Sequence, residues 1–251
     1  MTISAAPDVV LDHLSKADGS ASYSYAGYAV TATVNGPIEA QRRDEQPFEA
    51  IVDVIVRPAA GVGGTRERHL ESILCSTLRH LILLKNFPRQ LFQIALQITS
   101  VPENDYVNSK LMQASSSQNL SVLPTLFQTA ILALVSAAVP MKTTASATTI
   151  AIPKDYGSPL LNPTPRQVQT SSSIHVFAFT RQGDLLLSQS DGSFSQDEWD
   201  VAHDIAKDVC MEKKREEVDV MLDDDESQTQ NMADLIRAEA QMKTDSDLHW
   251  K

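Results

Sequence analysis

Apolar and polar residues alternate from Tyr23 to Val34, the period of a half-buried strand, and predict a strand or hairpin that ends in a Gly36-Pro37 turn. A second strand is predicted over Glu49–Arg57, which carries Ile51, Val52, Val54, Ile55 and Val56. The period then lengthens. Leu70, Ile73, Leu74, Thr77, Leu78, Leu81 and Ile82 recur at helical spacing. They predict a helix capped by Thr65, entered through a glycine-rich loop from Gly61, and stopped before Pro88. Leu91–Thr99 reads as a strand, with glutamines between its apolar residues. A polar stretch over 100–118 precedes a second helix from about Leu120 to Ala138, with Pro124 in its first turn. Thr143–Ile152 reads as a buried strand and the proline-rich Pro153–Ser173 as a long loop. Ile174–Thr180 and Leu185–Ser190 form a hairpin around Gln182, Gly183 and Asp184. Ser195 opens a last helix to about Cys210, with Asp197 and Glu198 in its first turn. Val9, Val10, Leu11 and Leu14 suit either a helical turn or an unordered segment. The order β-β-α-β-α-β-β-β-α predicts an α/β, two-layer fold with mixed sheets packed on helices.

Charge divides the chain. Its net charge is −11, which argues against a free-standing nucleic-acid binder. Residues 207–251 hold 7 Lys+Arg against 13 Asp+Glu, so the tail is acidic. Nine basic residues fall between Arg42 and Lys110, an early basic zone. These shifts predict an N-terminal segment over 1–20, one domain over 21–210, and an acidic extension over 211–251. The extension is expected to be partly helical or disordered, with Met232, Leu235, Ile236 and Ala240 at helical spacing. No signal-peptide pattern opens the chain, and no apolar run reaches the roughly 18 residues of a membrane span. Cys75 and Cys210 suggest neither disulfides nor a metal cluster. A soluble protein from a reducing compartment is expected. The six histidines are scattered without metal-ligand company, no Gly-x-Ser-x-Gly elbow is present, and the loop from Gly61 lacks a P-loop ending. No cofactor is expected.

Several segments carry a resemblance: Thr33-Val-Asn-Gly-Pro-Ile-Glu39, Gly64-Thr-Arg-Glu-Arg-His-Leu-Glu71, Phe87-Pro-Arg-Gln-Leu91, Ala130–Leu134 leading to Val139-Pro-Met141, and Ser146–Ile152. Over about residues 20–210 the chain resembles the RNase PH family, which degrades RNA from its 3′ end with phosphate as nucleophile. Within it, the chain is similar to the RNase PH-like subunits of the eukaryotic RNA exosome core ring. The resemblance implies a fold like the second domain of ribosomal protein S-five. It also implies a six-membered ring of RNase PH-like subunits, RNA-binding cap subunits, an associated processive exoribonuclease and RNA passing through the channel. The implied location is nucleus and nucleolus, also cytoplasm.

The same resemblance implies that the reaction centre is lost. Phosphorolysis needs an anion grip and a carboxylate for proton transfer or metal binding. Active relatives grip phosphate with Gly-Thr-Arg at a helix start, and the matching positions fall near Ser121, Val122 and Leu123. The two catalytic aspartates fall near Val168 and Ile174, give or take one residue, in a stretch from Leu161 to His175 without Asp or Glu. Asp155, upstream, reads as a loop residue. Arg66 aligns with a family arginine that contacts RNA; it reads equally as a helix-start arginine paired with Glu67 or Glu71. Arg68, Arg42, Arg43 and Arg89 are further RNA-contact candidates, each also readable as a solvated or interface charge. Two functions follow. One is a non-catalytic ring subunit that helps form an RNA channel for 3′-to-5′ processing, ribosomal RNA maturation included. The other is a phosphorolytic or metal-dependent 3′ exoribonuclease acting as a homo-oligomer.

Overall fold

Strands β1 (Asp8–Leu11), β2 (Gly19–Tyr25), β3 (Tyr28–Glu39), β4 (Ile51–Arg57) and β5 (Gln90–Ser100) form a mixed sheet of order β1-β2-β3-β5-β4. Only the β4–β5 pair is parallel, and its crossover is helix α1 (Thr65–Leu81). The computed structural model describes residues 7–102, 116–154, 158–211 and 232–249. Of the patch expected as a helical turn or unordered segment, Val9, Val10 and Leu11 lie in β1, paired from Asp8↔Ser24 to Leu11↔Ala21, and Leu14 lies in the loop after it. Four residues are too few for either period to declare itself.

The Gly36-Pro37 turn expected at the end of β3 is instead a bulge within it. Asn35 pairs Gln93 and Ile38 pairs Leu91, so β3 carries one extra residue. Pro37 has no N–H to give a ladder, and a break in pairing suits it. The Gly36 N–H goes to Asp18 Oδ2 at 2.8 Å. Helix α1 is capped one residue earlier than expected: its N-cap is Gly64, whose N–H donates to Glu67 Oε2 at 2.6 Å. It ends at Leu81, well short of Pro88, and a 3₁₀ turn over Leu84–Asn86 follows.

Helix α2 (Ser116–Ser136) starts a turn earlier than expected, so Pro124 lies in its interior. The missing N–H removes one helical bond, at a cost of about 3 kcal/mol in an exposed helix. Burial offsets that cost, because Leu123, Leu126, Phe127, Ala130, Ile131 and Leu134 are all inaccessible to solvent. The reason is position: α2 lies between two sheets. On one side it meets β2 and β3. On the other it meets β6 (Ala145–Pro153), β8 (Ser171–Thr180) and β9 (Leu185–Gly192).

The second sheet has the order β7-β6-β8-β9, with β7 only Leu160–Leu161. Helix α4 (Gln196–Cys210) covers its far face with Ala202, Ala206 and Cys210 against Ile150, Phe177 and Phe179. The expected hairpin and the Ser195 cap are both present; Ser195 Oγ accepts from Glu198 N at 3.3 Å. Each sheet is thus paired with a helical layer, and the two pairs stack through α2. The segment expected as one irregular loop before β8 holds β7 and a short helix α3 (Pro165–Thr170). Elements of two and six residues leave no readable period. Thr164, Pro165 and Gln167 did carry a local signal, an N-cap with proline at the first turn and a Gln reaching back: Thr164 N donates to Gln167 Oε1 at 2.8 Å.

Helix α5 (Met232–Leu248) packs Leu235 and Ile236 into the main core. Lys243 Nζ sits 2.6 Å from Asp12 Oδ2 and also donates to the Ser136 carbonyl at the end of α2; the Ser136 hydroxyl donates to Asp12. Burial pushes the Asp12 carboxyl up, but the hydrogen bonds from Lys243 and Ser136 and the Lys243 charge outweigh it and hold it below its ordinary value. The Glu212–Glu217 and Asp223–Glu226 blocks lie outside the described residues. No helix among the described residues is long and apolar enough to cross a membrane.

Candidate functional site

The four positions matched to a phosphate grip and its acids are apolar, and they belong to one packed region. Val122 and Leu123, early in α2, are 1% and 0% exposed, and Ile174 on β8 is 3% exposed. Val168, on α3, is half-buried against the same core. Such side chains neither hold an anion nor move a proton. Asp155, and Ser115 in the polar run before α2, fall outside the described residues.

One residue to either side of Ile174, the strand alternates to its other face. There Ser173 Oγ lies 3.0 Å from His175 Nε2, and His175 Nδ1 lies 2.8 Å from Ser190 Oγ. The imidazole is fully buried, stacked on Phe177 and edge-on to Phe194 at 4.7 Å between centroids. A neutral ring suits this chain, donating through one nitrogen and accepting on the other. Burial pushes the His175 pKa down from 6.5, and the Glu198 charge only partly opposes this. The sequence reading grouped His175 with the scattered histidines. The Ser173-Ile-His-Val-Phe177 alternation was the signal that it faces a second core.

A pH dependence follows. The unfolded chain takes up its proton near 6.5, whereas the folded protein resists until the pH is lower. Below 6.5 the unfolded state therefore binds more protons, and stability rises with pH up to about 6.5 before levelling. Urea midpoints measured from pH 5 to 7.5 should show this slope, and His175→Gln should flatten it. An unchanged slope in the variant assigns the effect to another group.

The five arginine candidates do not converge. Arg66 and Arg68 sit in the first turn of α1, beside the end of β4. Arg66 is half-buried and Arg68 exposed. Glu67 and Glu71 also meet backbone: Glu67 caps Gly64, and Glu71 Oε1 accepts the Val56 N–H at 2.8 Å. Arg42, Arg43 and Arg89 gather at the other end of the sheet, all exposed. Two backbone bonds join their loops, Arg89 N to Gln46 O at 3.0 Å and Ala40 N to Arg89 O at 3.2 Å. Between the groups runs the length of α1, about 25 Å at 1.5 Å per residue. The Arg42 end also carries Phe48, 85% exposed, and an Arg79–Glu49 ion pair at 2.8 Å. The rim of β4 that faces away from β5 is occupied by α1: besides Glu71, the Cys75 thiol reaches Val52 O at 3.3 Å.

Residues 7–140 match the model of domain 1 of the 3′ exoribonuclease family, RNase PH, and residues 143–209 match its domain 2. Exosome complex component RRP46 of Saccharomyces cerevisiae is 34% identical over 209 residues, 81% of this chain and 88% of that protein. The crystal structure of rice (Oryza sativa) Rrp46 superposes with a TM-score of 0.72 at 21% identity, covering 93% of this chain and 94% of that one. The Archaeoglobus fulgidus exosome with RNA bound to the active site gives 0.64 at 13% identity, over 80% of this chain and 84% of that one. At these identities the two structures speak for the fold.

Proposed function

The chain belongs to the RNase PH family of 3′ exoribonucleases, and from that membership we propose that it is a non-catalytic subunit of an RNA exosome ring. One observation carries the non-catalytic part: Val122, Leu123 and Ile174 are packed into the core where phosphate-using relatives need charged groups. A buried apolar layer holds shape; it supplies no charge at a scissile phosphate. The chain's contribution is then structural. It lends surfaces to RNase PH-like neighbours, cap subunits and an associated nuclease, while RNA passes through the assembled channel in nucleus, nucleolus and cytoplasm. In this reading Arg66 and Arg68 at one end, or Arg42, Arg43 and Arg89 at the other, meet RNA backbone or a neighbouring subunit. The two ends cannot share one phosphate group, since they lie far apart.

Two measurements test it. Purified chain incubated with single-stranded RNA, phosphate and magnesium should release no nucleoside diphosphates beyond an Arg66→Ala control. Native mass of the complex recovered from cells should correspond to about nine different chains, six ring and three cap subunits. Phosphate-dependent diphosphate release that Arg66→Ala abolishes overturns the structural reading in favour of a nuclease.

A further inference from the structure

A cavity of about 400 Å³ lies between the loop after β1 and the outer, helix-free side of β3. His13, Ser15 and Lys16 of the loop line it, with Thr33 and Asn35 of β3 and an apolar contribution from Leu14. The loop is held in place from several directions. Asp12 N donates to Ser20 O at 2.9 Å and Leu14 N to Ser20 Oγ at 3.1 Å. His13 Nε2 lies 3.2 Å from Ser22 Oγ, which in turn lies 2.9 Å from Thr31 Oγ1. The cavity is thus built before any ligand arrives, which lowers the ordering cost of binding.

Its polarity is one-sided. The lining offers an ammonium, an imidazole, two hydroxyls and an amide, and contains no carboxylate. The two acids on the same loop are committed elsewhere: Asp12 to Lys243 and Ser136, Asp18 to the Gly36 N–H. Lys16 forms no ion pair among the described residues. An exposed lysine in no ion pair, beside an imidazole and with both loop acids already bonded, marks a place where an anion is welcome. The volume is that of a small-molecule site and exceeds what inorganic phosphate fills. Phe, Tyr and Trp are absent from its lining, and its one ring, the His13 imidazole, is tied to Ser22 Oγ.

We propose that the cavity between His13, Lys16, Thr33 and Asn35 binds a sugar phosphate unit, with Lys16 carrying the charge. Lys16 and His13 meet the phosphate oxygens, while Asn35 and the hydroxyls of Ser15 and Thr33 meet the sugar. The unit comes from a free mononucleotide or from an RNA strand, and both sources present the same group. All of its lining comes from this chain, so the isolated full chain serves for the test.

Calorimetric titration with AMP, ribose 5-phosphate, inorganic phosphate and a short single-stranded RNA separates the outcomes. AMP and ribose 5-phosphate should bind with a Kd below about 1 mM, more tightly than inorganic phosphate. Lys16→Ala and Asn35→Ala should each weaken this about tenfold, and the distant exposed Lys85→Ala should not. If RNA alone binds, with the same Lys16 and Asn35 dependence, the strand is the source and the site stands. No heat with any phosphate compound, or affinity indifferent to both variants in protein with unchanged circular dichroism, overturns it.

Discussion

Leu123→Arg should destabilise the protein by about 4 kcal/mol or more, and inorganic phosphate should not restore it. Leu123 is fully buried on α2 with neighbours Val122 and Leu126 equally enclosed. An arginine there brings a charge into an apolar layer with no carboxylate to meet it. The loss approaches the whole stability of an ordinary domain, about 5–15 kcal/mol. Gln169→Arg, on the exposed side of α3 beside Val168, is the matched control and should cost under about 0.5 kcal/mol. Urea unfolding of both variants, with and without phosphate, reads the difference. A Leu123→Arg protein of native stability that binds phosphate would mean the position faces an open site, and the non-catalytic reading would fall with it.

Gly19→Ala should cost about 3 kcal/mol, large for a single methyl group. Gly19 opens β2 where the strand crosses the end of α2. An added Cβ would lie 2.6 Å from Ala137 Cα, closer than such atoms approach. Backbone forms that obstacle, so no rotamer change relieves it. The strand must move off the helix end. That shift strains the bond from Ser20 N to Ser136 Oγ at 3.2 Å and, through Ser136, the contacts of Asp12 and Lys243. The midpoint of urea unfolding should fall accordingly. Ser22→Ala, one strand residue further from the crossing than Ala21 and half-buried on the opposite face, should change it far less. Equal midpoints for Gly19→Ala and the parent protein would show that the crossing has room to relax.

The sequence revealed most where one strong local signal acted alone. The β8–β9 hairpin declared itself by alternation and by Gln182-Gly-Asp184, and α4 by Ser195 with two acids behind it. It failed where tertiary packing overrode local preference. Pro124 reads as a helix start, yet two sheets clamping α2 hold the helix through it. The strand–helix–strand run through α1 allows a parallel β4–β5 pair, but nothing local places β5 between β3 and β4. The candidate site shows the same division. That Val122, Leu123, Val168 and Ile174 are apolar is plain from the sequence. That three of them are fully packed needed the fold. The basic zone from Arg42 to Lys110 looks continuous along the chain, but a strand followed by an antiparallel helix leaves Arg42, Arg43 and Arg89 at one end and carries Arg66 and Arg68 to the other.

The occupied rim of β4 has a consequence for how this protein meets others. A bare outer strand is a template on which foreign chains add and aggregates grow. Here Glu71 and Cys75 already hold backbone groups of that strand, while at the opposite margin β1 spans only four residues and lies against α5. The five-stranded sheet therefore resists lengthening in either direction. Association through backbone pairing is steered to the other sheet, where β9 forms a border among the described strands.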